Sequence, residues 1–83
     1  MLHLLFFASI KELIQTDEEF ISIDGVKNVS DLKNKLVLRG GNWTTAFENS
    51  NEVKVAVNKE LVSDNFILND KDEVAFFPPI TGG

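Results

Sequence analysis

Apolar and polar positions alternate near both ends of this chain and give way to helical spacing in its middle. Residues 2–7 form an apolar run of strand length, with Leu2, Leu4 and Phe6 on one side and His3, Leu5 and Phe7 on the other. A strand apolar on both sides belongs at the centre of a sheet. Ser9 is placed to cap a short helix, and Glu12 completes a capping box ahead of Leu13 and Ile14. Phe20-Ile21-Ser22-Ile23 predicts a second strand, stopped by the turn pair Asp24-Gly25. Ser30 then caps the principal helix, with Asp31 near its positive end, Leu32 and Leu36 on one face, and Gly40 to stop it.

Trp43, Ala46 and Phe47 suggest a further short helical turn. Residues 53–57 alternate with their valines inward, Asn58-Lys59-Glu60 turns the chain, and residues 61–63 make a short strand. Phe66, Ile67 and Leu68 add apolar contacts before the polar turn Asn69-Asp70-Lys71-Asp72. A last strand, residues 73–77, must end at Pro78, which has no amide hydrogen for a ladder. The order β-β-α-β-β-β predicts an α+β fold of the β-grasp (ubiquitin-like) kind, a mixed sheet with one main helix packed on one face. Residues 1–79 make that domain and residues 80–83 a flexible tail.

Such a roll places the first and last strands side by side. If Leu2, Leu4, Phe6, Val74 and Phe76 point to the helix, then Leu5, Phe7, Ala75 and Phe77 point away from it. An under-covered patch of Phe7, Phe77 and Leu61 at the root of the tail then makes a partner-docking surface.

Composition narrows the function more than the fold. The chain has 83 residues, 43% of them hydrophobic and 25% charged, which suits one small folded domain. Thirteen acidic residues against eight basic ones leave a formal charge of −5 without a lysine or arginine cluster, so nucleic acid is not an expected partner. The N-terminal apolar run lacks a basic flank and is too short to span a bilayer, so no membrane association and a cytoplasmic location are expected. With no cysteine, the chain carries neither a disulfide, a thiolate metal site nor a persulfide.

Side-chain chemistry is equally sparse. His3 is the single histidine and has no ligand set around it, so no metal is expected. The serines lack a histidine at useful spacing or a nucleophile elbow, and Gly40-Gly41 carries no phosphate-binding fingerprint. The acidic stretches Asp17-Glu18-Glu19 and Asp70-Lys71-Asp72-Glu73 fit solvated turns better than a cation or acid–base site.

The remaining candidate is the tail, Pro78-Pro79-Ile80-Thr81-Gly82-Gly83. The prolines lead it away from the last strand, and the residues beyond Pro79 reach roughly 13–14 Å when extended. Glycine has no Cβ, so the terminal carbonyl carbon can be approached in a narrow channel. From the residues alone the tail is either such a chemical handle or an inert terminus.

Three blocks carry a resemblance: Leu4-Leu5-Phe6-Phe7-Ala8 followed by Lys11-Glu12-Leu13; Val55-Ala56-Val57-Asn58; and Asp72-Glu73-Val74-Ala75-Phe76-Phe77 running into the tail. Together they resemble the family of small, sulfur-carrying subunits of molybdopterin synthase. The resemblance implies that Gly83 is adenylated by an ATP-dependent activating enzyme and converted by a sulfurtransferase system to a thiocarboxylate. Ile80, Thr81 and Gly82 would insert into the large synthase subunit, which supplies the catalytic residues, and the sulfur would go to cyclic pyranopterin monophosphate. Phe7, Leu61, Phe77, Pro78 and Pro79 would form the partner interface, in a heterotetramer of two small and two large subunits. No cofactor is expected to bind stably, ATP being used by the activating enzyme.

Two positions depart from the family's usual pattern. Lys11 stands where an arginine is common, and Asp70-Lys71-Asp72 replaces Asp-Gly-Asp, so Lys71 is strained if that turn needs positive φ. The competing readings are a sulfur carrier for thiamine or another pathway, a ubiquitin-like protein modifier joined through Gly83 to lysines, and a plain interaction domain.

Overall fold

In a computed structural model, which describes residues 1–79, the N-terminal apolar run is strand β1 (Leu2–Phe6), and it does lie inside the sheet. The elements that follow are α1 (Ala8–Ile14), β2 (Glu18–Ile21), α2 (Val29–Val37), α3 (Asn42–Phe47), a 3-10 turn at Ser50–Glu52, β3 (Lys54–Val57), β4 (Glu60–Val62) and β5 (Glu73–Phe77). The sheet order is β2-β1-β5-β3-β4, with β1 and β5 parallel and the other neighbours antiparallel. This is the expected α+β arrangement, a mixed sheet with its helices on one face.

Alternation decides what each strand buries. Leu2, Leu4, Phe6, Val74 and Phe76 are all at most 1% exposed and meet Leu32 and Leu36 of α2, which are fully buried. Phe47 from α3 closes the far end, its ring edge-on to Phe76 at 5.2 Å, while Phe6 stacks on Phe76 at 5.6 Å. Aromatic pairs of this geometry contribute about 0.5–1.5 kcal/mol beyond their buried area. Arg39 lies 4.4 Å over the Trp43 ring and pairs with Glu19 through its two terminal guanidinium nitrogens, which lets an acidic residue sit on the helix side of edge strand β2.

Several boundaries differ from the sequence expectation. The cap of α2 is Asn28, not Ser30: the Asn28 side chain accepts from the Asp31 amide, and the Asp31 carboxylate accepts from the Asn28 amide. The amides of Val29 and Ser30 are already taken by the carbonyls of Phe66 and Asp64, so the helix starts earlier. Ser9 and Glu12 form no capping box, because α1 begins directly from Phe7 without a side-chain cap. Phe7 is still tied to the sheet there, its amide donating to the Phe76 carbonyl at 3.0 Å.

β2 lies two residues earlier than expected, since its pairing with β1 runs from Leu2, opposite Ile21, to Leu5, opposite Glu18. β4 also begins one residue early. Asn58 and Lys59 both have positive φ, 50° and 73°, as a two-residue type I′ hairpin requires, and this sets Val57 opposite Glu60. Of the 66–68 segment only Leu68 is buried; Phe66 and Ile67 remain exposed. Gly40, with φ 81°, stops α2 as expected, and Lys71 has φ 75° in the last turn.

Lys33 was not foreseen as a core residue, yet it is 2% exposed. Its ammonium donates to the carbonyls of Ser50 and Val53 at 3.0 and 2.8 Å and to Asp64 Oδ1 at 2.8 Å. The Ser50 hydroxyl donates to the other Asp64 oxygen at 2.7 Å. A buried cation is tolerated only when its donors are satisfied, and this one ties α2 to the 3-10 turn and the start of β3. Partial burial pushes the Asp64 carboxyl up, but the hydrogen bonds from Lys33 and Ser50 and the Lys33 charge outweigh it and hold Asp64 below its ordinary value.

We expect Lys33→Ala to lower unfolding free energy by about 2–4 kcal/mol in urea titrations, because buried acceptors lose their donor. A depressed folded-state pKa stabilises above the unfolded carboxylate value of about 3.9 and ceases to do so as pH falls through the folded value. Asp64→Asn should therefore flatten the acid limb of a stability-versus-pH profile. Lys71→Gly should raise stability by about 0.5–1 kcal/mol, measured the same way, by relieving a left-handed backbone.

Candidate functional site

The helices cover one face of the sheet, and the other face holds the side chains of opposite parity. Across its middle the registers line up Glu18, Leu5, Ala75, Ala56 and Leu61, one from each strand. The alanines make a low floor between larger apolar groups. Beyond one end of this row stand Phe7, Phe77 and Lys54, the last directly opposite Phe77. Beyond the other end stand Phe20, His3 and Glu73.

The sequence-predicted patch is therefore assembled on one face, though not as one tight cluster. Phe7 and Phe77 flank each other at the start of the tail, with Phe7 46% exposed and Phe77 half-buried. Leu61, 73% exposed, lies on the outer strand two strand spacings from β5, roughly 10 Å away. Pro78 is half-buried and Pro79 exposed; both line a hollow of about 220 Å3 with Ile10, Leu13, Ala46 and Val53. The root of the tail thus runs between the open sheet face and the helical end of the domain. Ile80, Thr81, Gly82 and Gly83 lie outside the described residues.

Sequence reasoning missed several residues of this face. Phe20 was read only as part of a strand, yet it is 57% exposed and its ring stacks on His3 with centroids 4.3 Å apart. His3 is half-buried and its Nε2 meets Glu18 Oε2 at 2.6 Å, a cross-strand pairing rather than a ligand set. Lys54 and Ala56 were visible as the outward positions of an alternating strand, but their place beside Phe77 and Leu61 needed the strand order.

The Asp70-Lys71-Asp72 stretch holds a turn, whereas Glu18 and Glu19, expected in a solvated turn, lie in β2 and pair with His3 and Arg39. The amino terminus hydrogen-bonds the Asp70 carboxyl and thereby holds it below its ordinary value. Asp72 accepts from the Asn69 amide at 2.8 Å and from the Asn58 side chain at 3.0 Å. Among the described residues, no group of three or more His, Asp or Glu could hold a metal ion. No helix of the described residues is long and apolar enough to cross a membrane. What the arrangement can do is bind: it offers a largely apolar face beside the exit of an acidic chain's final strand.

Comparison with known proteins agrees in sequence and in fold. The model of the ThiS family matches residues 4–83. The chain is 41% identical, over 83 residues covering the whole of both proteins, to the molybdopterin synthase sulfur carrier subunit of Escherichia coli K12. It is 36% identical, again over the whole of both, to the protein of that name in Haemophilus influenzae. The crystal structure of SAMP1 from Haloferax volcanii superposes with a TM-score of 0.74 at 24% identity, covering 99% of this chain and 98% of that one. A chain of the complex of subunits 1 and 2 of the molybdopterin-converting factor from Helicobacter pylori does so with a TM-score of 0.66 at 24% identity, covering 99% and 97%. Those structural likenesses establish the ubiquitin-like β-grasp fold.

The open face should be separable from the core by mutation. Leu61→Ser is expected to change unfolding free energy by less than about 0.5 kcal/mol, as at other exposed positions. Phe76→Ala should cost about 3–5 kcal/mol in the same denaturation experiment.

Proposed function

Because the chain belongs to the ThiS family, we propose that it is the sulfur-carrier subunit of a molybdopterin synthase. The observation that carries this reading is the 41% identity to a subunit of that name, which runs over the whole of both chains and so includes the Gly-Gly end. The carboxylate of Gly83 is the reacting group. At neutral pH it is a poor electrophile, so an ATP-dependent activating enzyme first joins it to AMP with release of pyrophosphate. A persulfide of a sulfurtransferase system then displaces AMP to give an acyl disulfide, and a thiol of that system cleaves its S–S bond, forming a new disulfide with the donor's sulfur and leaving a terminal thiocarboxylate.

Ile80, Thr81 and Gly82 carry that group into the large subunit, where the sulfur is passed to cyclic pyranopterin monophosphate. A dithiolene needs two sulfurs, so loaded carriers act successively, and a heterotetramer of two small and two large subunits fits that need. The catalytic residues belong to the large subunit. Phe7, Leu61, Phe77, Pro78 and Pro79 form the docking surface, a role supported by the way β1 and β5 place the aromatic pair at the tail's root. The relative from Helicobacter pylori is itself found in a complex of subunits 1 and 2.

Intact-mass measurement of the chain from cells holding the activation system should show replacement of one oxygen by sulfur at Gly83. Deletion of Gly83, or addition of one residue after it, should leave the unfolding midpoint unchanged and abolish molybdopterin formation in a reconstituted assay. Undiminished product from either variant would sink the assignment. Isopeptide-linked lysines in other proteins would instead place the chain among protein modifiers.

A further inference from the structure

We propose that Lys54 sets the orientation of docking: it selects a large-subunit surface that presents a carboxylate beside the point where the tail enters. This rests on the reading of the open sheet face as the docking surface. The strand residues of that face are His3, Leu5, Glu18, Phe20, Lys54, Ala56, Leu61, Glu73, Ala75 and Phe77, and Lys54 is the one lysine or arginine among them. It stands directly opposite Phe77, at the root of the tail. The two acids of the face lie elsewhere: Glu73 is four residues back along β5, roughly 13 Å away, and Glu18 is on the outer strand with His3 as its partner. In a chain of net charge −5, the face is thus polarised against the trend of the molecule, positive where the tail leaves.

Lysine is depleted at the centre of protein interfaces because covering an ammonium without an anion is costly. Lys54 has no such partner within the described chain: it joins none of the ion pairs, which are those of the amino terminus, His3, Lys33 and Arg39. The carboxylate whose field it feels is Asp64, and both oxygens of Asp64 are already engaged by Lys33 and Ser50. Beside Lys54 a shallow hollow of about 500 Å3, shared with Asn51, Leu61, Ser63 and the Lys33-bound Asp64, leaves room for a partner's side chain.

The flat floor of Ala75 and Ala56 would accept a partner in several rotations about the face normal. An off-centre cation removes that freedom. Phe7, Phe77 and Leu61 then supply contact area, while Lys54 supplies the register that points the tail into its channel.

Association of the full chain with the cognate large subunit should be measured at low and high salt for the wild type, Lys54→Gln, Lys54→Glu and Phe77→Asp. Lys54 is exposed, so its variants should keep the wild-type unfolding midpoint. Lys54→Glu is expected to weaken binding about tenfold at low salt, Lys54→Gln less, with the differences shrinking as salt rises. A carboxylate-to-lysine change on the large subunit should restore binding to Lys54→Glu. Phe77→Asp, which tests the underlying reading, should lose binding at both salt concentrations. Wild-type affinity of Lys54→Glu alongside a dead Phe77→Asp overturns the role of Lys54 and leaves the docking face standing. Wild-type affinity of Phe77→Asp overturns the face itself. A loss in Lys54→Glu that is indifferent to salt, or that follows a lowered unfolding midpoint, also overturns the proposal.

Discussion

The parallel ladder between β1 and β5 pairs His3 with Glu73, Leu4 with Val74, Leu5 with Ala75 and Phe6 with Phe76, joining the two ends of the chain at the middle of the sheet. Closing a loop that long costs conformational entropy before any contact repays it. Burial of Leu2, Leu4, Phe6, Val74 and Phe76 against α2 and α3 offsets that cost. The same pairing brings Phe7 beside Phe77, because the Phe7 amide continues the ladder onto the Phe76 carbonyl. Core and open face are therefore two sides of one register, and a slip of one residue would exchange them.

Helices on one side of a five-stranded sheet leave the other side to be covered by something else or left open. Here it is left open, with small residues in the centre and aromatic or branched residues around them. Under the proposed sulfur-carrier role, in which the reacting group is the chain's own terminus, such a face would let a partner hold the rigid domain while the terminus reaches into it. The buried Lys33 node serves the same end from the opposite side, since it anchors the start of β3, the strand against which β5 is held.

Much of this was legible beforehand. Alternation in residues 2–7, 53–57 and 73–77 assigned inward and outward side chains correctly, because the period of a strand is a local property of the backbone. The candidate face of Phe7, Leu61 and Phe77 followed from it. The errors came where non-local partners decide. Ser30 looked like the cap of α2, but the carbonyls of Asp64 and Phe66 occupy the first amides, and Asn28 with Asp31 forms the capping box. Glu18 and Glu19 fit a solvated turn by sequence, but they lie in β2, where His3 and Arg39 pair with them.

By itself the amino-acid order determined the succession of elements, the parity of each strand and the terminal Gly-Gly after paired prolines. Each of these is readable within a few residues. Tertiary structure alone decided that Lys33 is buried, since its acceptors come from Ser50, Val53 and Asp64, distant in sequence and adjacent only after folding. It also decided that Lys54 stands beside Phe77 and that Leu61 shares their face from the far edge. Strand order and register arise from pairing between remote segments, and no local pattern encodes which charge comes to lie at the root of the tail.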